Sequence, residues 1–139
     1  MKDLESRIIE FLLADTAVKA ITTDIKTENP PTIVSDKTIT VKVNYESTHP
    51  VFDSEQATIV VKVWVNTRNP TISSPIKTLK DLTSKVITSI NRTGDTLTKL
   101  SGGYSLIVYS IRKLSHQDEL IETEKVWYSI ITFEVTKNQ

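Results

Sequence analysis

The sequence predicts an α+β domain with one mainly antiparallel sheet and two main helices packed on one face of it. Three observations support this prediction. Apolar residues recur at helical spacing near the N-terminus and again after Pro75, and they alternate at every second position in several other segments. The chain has 139 residues, which is the ordinary size of one domain. We therefore treat residues 1–139 as a single domain.

The N-terminal segment predicts a helix followed by a short second helical piece. The residues with the spacing of one helical face are Leu4, Ile8, Phe11 and Leu12. Asp15 interrupts this stripe and is a favoured N-cap residue, so a new helix is expected over 16–21. Residues 22–37 contain Pro30-Pro31 and are predicted to be an irregular connection, in which Ile25 starts a short strand and Ile33-Val34 forms an edge strand.

The middle of the chain predicts two strands separated by a loop. Residues 38–45 alternate between apolar and polar side chains, which indicates a strand with one buried face. Residues 57–65 are apolar on one side, and Val60 and Trp64 add apolar groups on the other, as in a central strand. The polar segment 46–56, which contains His49-Pro50, is predicted to be a loop.

The second half predicts a helix and a hairpin. Ser74 and Pro75 have the residue types favoured at an N-cap and at the first helical position, so a helix is expected from there to about Asn91. Residues 104–111 and 126–135 are predicted strands that pair in antiparallel fashion. The charged segment 112–125 between them is expected to be a long loop at the tip.

Composition excludes several classes of function. The chain carries 17 basic and 17 acidic side chains, and this neutral balance argues against binding nucleic acid through bulk charge. It contains no Cys, which excludes disulfides, thiolate metal sites and cysteine nucleophiles. Its apolar runs are far shorter than the roughly 20 residues that span a bilayer, and the N-terminal pattern is not that of a signal peptide. We therefore expect a protein of the cytoplasm with no membrane association.

No group of residues predicts a catalytic, cofactor or metal site, so an enzyme is not expected. His116 lies near Asp118 and Glu119, which suggests a metal site, but a solvated loop tip is the favoured interpretation. The segment 101–103 lacks the rest of a phosphate-binding or nucleophile motif. The lysines on the second main helix are those of an ordinary solvated helix face.

The second face of the predicted sheet is partly apolar. Two helices on one side leave this other face uncovered, and an exposed apolar sheet face is typical of a subunit contact. The residues that we predict to form this contact are Val60, Trp64, Tyr109, Tyr128 and Ile130.

The order of these segments resembles the tail terminator proteins (also called tail-completion or head–tail joining proteins) of long-tailed bacteriophages. The resemblance lies in the opening helix with its Asp-capped second piece over 8–21, the strand 58–65, the helix that carries Leu79, Leu82 and Val86, and the final strand 127–135. These stretches span most of the chain. The family has no catalytic signature, so the resemblance assigns no catalytic residue.

The resemblance implies a structural role in a virion. Such proteins form a ring, usually of six subunits, which ends polymerisation of the tail tube and joins the tail to the head connector. The ring is assembled in the host cytoplasm, and genome DNA passes through its lumen without sequence-specific binding. It needs no cofactor. We expect the two loops to face the tube and connector proteins, through His49 and Phe52 in one and His116, Asp118 and Glu119 in the other.

Two alternatives stay open at the level of sequence. One is a different neck or tail-tube subunit of the same kind of virion, which would form long tubes by itself if it were a tube protein. The other is a small α+β ligand-binding module or enzyme with its pocket between the sheet and a helix, which would be a monomer or dimer with a deep polar pocket.

Overall fold

The structure is a computed structural model that describes residues 4–27, 37–49, 54–66, 75–90, 108–121 and 126–138. These residues contain three helices and five strands. The helices are α1 (Leu4–Ala14), α2 (Thr16–Lys19) and α3 (Pro75–Ile90). The strands are β1 (Ile25–Thr27), β2 (Lys37–His49), β3 (Ser54–Asn66), β4 (Val108–Ile121) and β5 (Val126–Asn138). This element order confirms the predicted α+β class.

The five strands form one sheet in the order β1-β2-β3-β5-β4. The β2–β3, β3–β5 and β5–β4 pairs are antiparallel, and only the three-residue strand β1 runs parallel to its neighbour β2. β3 pairs along its whole length with β5 on one side, and from Ser54 to Val65 with β2 on the other. Its central position confirms the prediction made from its two apolar sides.

One face of the sheet carries the hydrophobic core. Val61 lies opposite Val41 of β2 and Ile131 of β5, and all three side chains are fully buried. The helices cover this face with their own apolar stripes, α1 over β1 and β2 and α3 over β3 and β5. The helical residues of the core are Leu4, Ile8 and Leu12 of α1 and Leu79, Leu82, Val86 and Ile90 of α3. Both main helices therefore lie on one face, as predicted.

Local sequence signals set the helix boundaries. The Asp15 carboxylate accepts hydrogen bonds from the backbone N–H groups of Ala17 (2.9 Å) and Val18 (3.3 Å), which confirms the predicted N-cap of α2. α2 ends at Lys19, two residues before the predicted end, and continues as a turn. α3 begins at Pro75, as predicted from its residue type.

The predicted loops at 46–56 and 112–125 are largely wrong. β2 continues to His49 and β3 already begins at Ser54, while β4 runs through the charged segment as far as Ile121. These polar stretches are strands because their backbones pair with a neighbouring strand, which needs no buried side chains. His49 therefore lies in β2, and His116, Asp118 and Glu119 lie in β4 rather than in a loop. Phe52, the predicted strand at Ile33-Val34 and residues 101–107 lie outside the described residues.

The β2–β3 hairpin and the β4–β5 hairpin close at opposite ends of the sheet. β3 begins at Ser54, which pairs with Asn138, and ends at Asn66, which pairs with Val126. The β2–β3 pairing therefore ends with His49 and Ser54 at one end of the sheet, and the β4–β5 pairing ends with Ile121 and Val126 at the other. A strand of this length separates the two ends by roughly 40 Å.

Truncating a side chain at the centre of the core should lower the free energy of unfolding strongly. Phe133 is among the largest fully buried side chains, so Phe133→Ala should lower the free energy of unfolding by about 3–5 kcal/mol, through lost burial and the cavity left behind. Urea unfolding followed by circular dichroism measures this change. Leu114→Ala is the control, because Leu114 is 48% exposed and its truncation should cost less than about 1 kcal/mol. Equal effects of the two substitutions would contradict the position of the core.

Candidate functional site

A stacked aromatic pair lies on the sheet face opposite the helices. Trp64 of β3 is opposite Tyr128 of β5, and their ring centroids are 4.9 Å apart at an interplanar angle of 22°. The indole Nε1 of Trp64 donates a hydrogen bond to Thr40 Oγ1 (3.1 Å), and the Lys62 ammonium lies 5.9 Å from its ring. Trp64 is only 7% exposed, so it presents no open ring face to a ligand.

The other apolar residues of this face are more accessible. Val60 and Ile130 are half-buried, and register places Val60 beside Thr132 and Ile130 beside Lys62. Each apolar group thus has a polar or charged neighbour across the strand pair. The last predicted interface residue, Tyr109, lies in β4 at a register shift, and its side chain is outside the described part of the chain.

Glu119 of β4 anchors the tyrosine of the aromatic pair. The Tyr128 hydroxyl donates a hydrogen bond to Glu119 Oε2. This hydrogen bond, then partial burial, then the negative charge of Glu119 raise the pKa of Tyr128 above its ordinary value, because all three disfavour the phenolate. The pair therefore ties β4 to β5 on the face that bears Val60 and Ile130.

His116 and Asp118 lie on the opposite side of the same strand, towards the helices. Their cross-strand partners are Ile131 and Ser129, which both belong to the helix-covered face. Here α3 and β4 enclose an open cleft of about 270 Å³. The residues that line this α3–β4 cleft are Lys80, Thr83, Ser84, Ile87, Thr88, His116 and Asp118.

A chain of hydrogen bonds crosses the cleft floor. The Thr83 hydroxyl donates to Ser129 Oγ (3.0 Å), and the Ser129 hydroxyl donates to Asp118 Oδ1. The same carboxylate oxygen lies 2.9 Å from His116 Nε2. Three elements are thereby joined at their polar groups, because Thr83 belongs to α3, Ser129 to β5 and the other two residues to β4.

This arrangement differs from a nucleophilic triad. In such a triad the imidazole contacts the serine hydroxyl, whereas here the carboxylate lies between Ser129 and His116, and Ser129 is fully buried. Within the described ranges, no group of three or more His, Asp or Glu side chains is arranged to hold a metal ion. Glu119 lies on the other face of the sheet from His116 and Asp118, since side chains alternate along a strand.

Thr83 and Ser129, the two hydroxyl residues in the floor of the cleft, were missed by the sequence analysis. Thr83 and Ser129 are buried hydroxyl residues inside otherwise apolar patterns, and each such position requires a hydrogen-bond partner. That requirement was the available signal. It does not identify the partner, which depends on how α3 lies on the sheet.

The helices of the described residues include none that is long and apolar enough to cross a membrane.

Comparison with known proteins identifies the fold. No protein-family profile matches the sequence, and no curated protein sequence matches it. Among solved structures, a chain in the virion of a native gene transfer agent particle superposes with a TM-score of 0.70. The match covers 98% of this chain and 95% of the other, at 12% sequence identity. The two chains share a fold along nearly their whole lengths.

Removing the contact between Tyr128 and Glu119 should change the titration of the Tyr128 phenol. Glu119→Gln should lower the pKa of Tyr128, because it removes the negative charge and weakens the hydrogen-bond acceptor. Because the pKa of Tyr128 is higher in the folded than in the unfolded state, its contact with Glu119 stabilises the fold fully below the unfolded pKa of about 10. This stabilisation is lost as pH rises through the folded pKa. Nuclear magnetic resonance (NMR) of the tyrosine ring measures the titration.

Glu134→Gln is the matched control for this titration. Glu134 lies on the same sheet face but pairs with Arg112. Its substitution should leave the pKa of Tyr128 unchanged. The same pKa in the Glu119→Gln variant as in the unsubstituted chain would show that the contact with Glu119 does not control Tyr128.

Proposed function

We propose that this chain is a non-enzymatic structural protein of a phage-like virion, and that six copies close into a ring at the end of the tail tube. The ring ends tube polymerisation and joins the tail to the head connector. The observation that carries this proposal is the fold shared with a chain of the gene transfer agent virion over 98% of the present chain. The resemblance of the segment order to tail terminator proteins supports the more specific role.

The sheet face opposite the helices is the proposed contact between copies. A closed ring needs a heterologous interface, in which one patch meets a different patch of the next copy. Val60, Ile130 and Tyr128 are half-buried in the single chain and retain apolar surface to bury. Trp64 contributes by packing against Tyr128, since its own ring is already covered.

The two ends of the sheet suit a subunit that joins two structures. The last β2–β3 pair, His49 with Ser54, and the last β4–β5 pair, Ile121 with Val126, lie at opposite ends of the sheet, roughly 40 Å apart. In a ring whose strands run along its axis, one set of connections would meet the tail tube and the other the head connector. The neutral net charge suits a lumen through which DNA moves without being held.

A hexameric ring should have a defined native mass, and charged substitutions in its interface should break it apart. The purified chain should have the native mass of a hexamer and appear as single rings by electron microscopy. Val60→Asp together with Ile130→Asp should shift it to monomer, because a buried, unpaired charge at an interface is strongly unfavourable. The control is Ile76→Asp, which places one such charge at a 41% exposed apolar residue of α3 and should leave rings intact.

Other assemblies would contradict this proposal in distinct ways. A monomer at high concentration would remove the ring altogether. Long tubes formed by the chain alone would identify a tube subunit instead, because a terminator stops at one ring. Rings that survive the double substitution would place the contact on another surface.

We expect the β2–β3 and β4–β5 connections to bind different neighbours, so that each contact can be removed separately. Replacing residues 122–125 by a flexible Gly/Ser segment of equal length should leave the ring intact but abolish binding to one neighbour, tail tube or connector. The same replacement of residues 50–53 should abolish binding to the other neighbour. Co-sedimentation of each variant with isolated tail tubes and with connectors measures this. Retention of both partners by both variants would refute the assignment of the two ends.

A further inference from the structure

The α3–β4 cleft has a row of unused donors on its helical wall. Lys80, Ser84 and Thr88 follow one another at four-residue spacing, so they lie along one side of α3, and all three line the cleft. They are exposed, and none makes a side-chain hydrogen bond or ion pair within the part of the chain that the structure describes. The helix therefore presents one ammonium and two hydroxyls to whatever enters.

The acid on the opposite wall already has its own donors. Asp118 accepts from the Ser129 hydroxyl and lies within hydrogen-bond distance of His116, both through Oδ1. Thr83 in turn donates to Ser129, which fixes the direction of that hydroxyl.

We propose that the α3–β4 cleft binds an aliphatic carboxylate, namely an acidic side chain such as glutamate presented by a partner protein. A guest carboxylate pairs with the Lys80 ammonium and accepts hydrogen bonds from the hydroxyls of Ser84 and Thr88 on the same side of α3. A cationic guest would instead meet the Lys80 ammonium. The half-buried Ile87 and the methyl group of Thr88 provide apolar surface for the methylene groups of the side chain.

This inference does not depend on ring formation, because one folded chain supplies the whole cleft. It assigns Lys80 and Asp118 opposite roles in one contact: the Lys80 ammonium attracts the guest, and the Asp118 carboxylate, which is held by Ser129 and His116, opposes it. The proposed tail-joining role and the carboxylate site can therefore fail separately.

An NMR titration of the isotope-labelled full chain tests the site. The probe is glutamate blocked at both backbone ends, so that its side-chain carboxylate is its only charge. We expect shifts of the resonances of Ile87, Thr88 and His116 that saturate with probe concentration. Equally blocked glutamine, which has the same shape without the charge, should produce no such shifts.

Substitutions on the two walls give effects of opposite sign. Lys80→Gln should weaken binding of blocked glutamate about threefold to tenfold, as expected for one charge-assisted contact at an exposed site. Lys77→Gln is the matched control, because Lys77 is an exposed lysine of the same helix that does not line the cleft. Asp118→Asn should strengthen binding, since it removes a negative charge beside the guest.

Several results would overturn the proposal. No saturable shift with blocked glutamate, or equal shifts with blocked glutamine, would show that the cleft has no carboxylate site. Preferential binding of n-butylammonium would identify a cation site governed by Asp118. Tighter binding of inorganic phosphate would identify an anion site without an aliphatic requirement. Lys80→Gln lies on the surface and leaves the core intact, so it tests the site even if Asp118→Asn unfolds.

Discussion

The alternation of side chains along β3 is the constraint on which the rest of the structure depends. Every second residue from Ala57 to Val65 is fully buried on the helix side, and the residues between them face the other way. Burying one such side chain contributes about 1.5–3 kcal/mol, and a slip of one residue would expose all of them at once. The register of β2 and β5 on either side of β3 is thereby fixed, and with it the surface on which α1 and α3 pack.

The opposite face of the sheet is stabilised by a different kind of contact. Its buried polar groups are paired across strands or with a nearby loop: Thr38 donates to Asp24, and Trp64 donates to Thr40. These hydrogen bonds are directional and local. They satisfy the buried polar groups of this face without a second layer of helices. The apolar groups that stay half-buried, Val60 and Ile130, are separated by polar neighbours, as expected for a surface that is stable without a covering layer.

The sequence predicts those features that local chemistry decides. Asp15 caps α2 and Pro75 opens α3 because the preference of each residue operates within one turn of helix. It does not predict that 112–121 is a strand, because β4 is an edge strand whose middle residues are exposed on both faces and show no apolar period. The hydrogen bonds from Thr83 to Ser129 and from Ser129 to Asp118 join residues far apart in the chain, so neither follows from a local pattern.

A single extra residue in β4 decides which side chains form each candidate site. Lys113 lies opposite Phe133 on the helix side, and the register then shifts so that His116 and Asp118 also lie on that side. Without the bulge at Leu114, strict alternation would turn Glu119 towards α3 and Asp118 away from it. The cleft would then lose its His116–Asp118 pair, and Tyr128 would lose its hydrogen-bond acceptor. The bulge therefore sets the chemistry of both faces together: regular pairing of Leu114 would exchange the two acids between them, whereas deleting Leu114 would leave each acid on its present face.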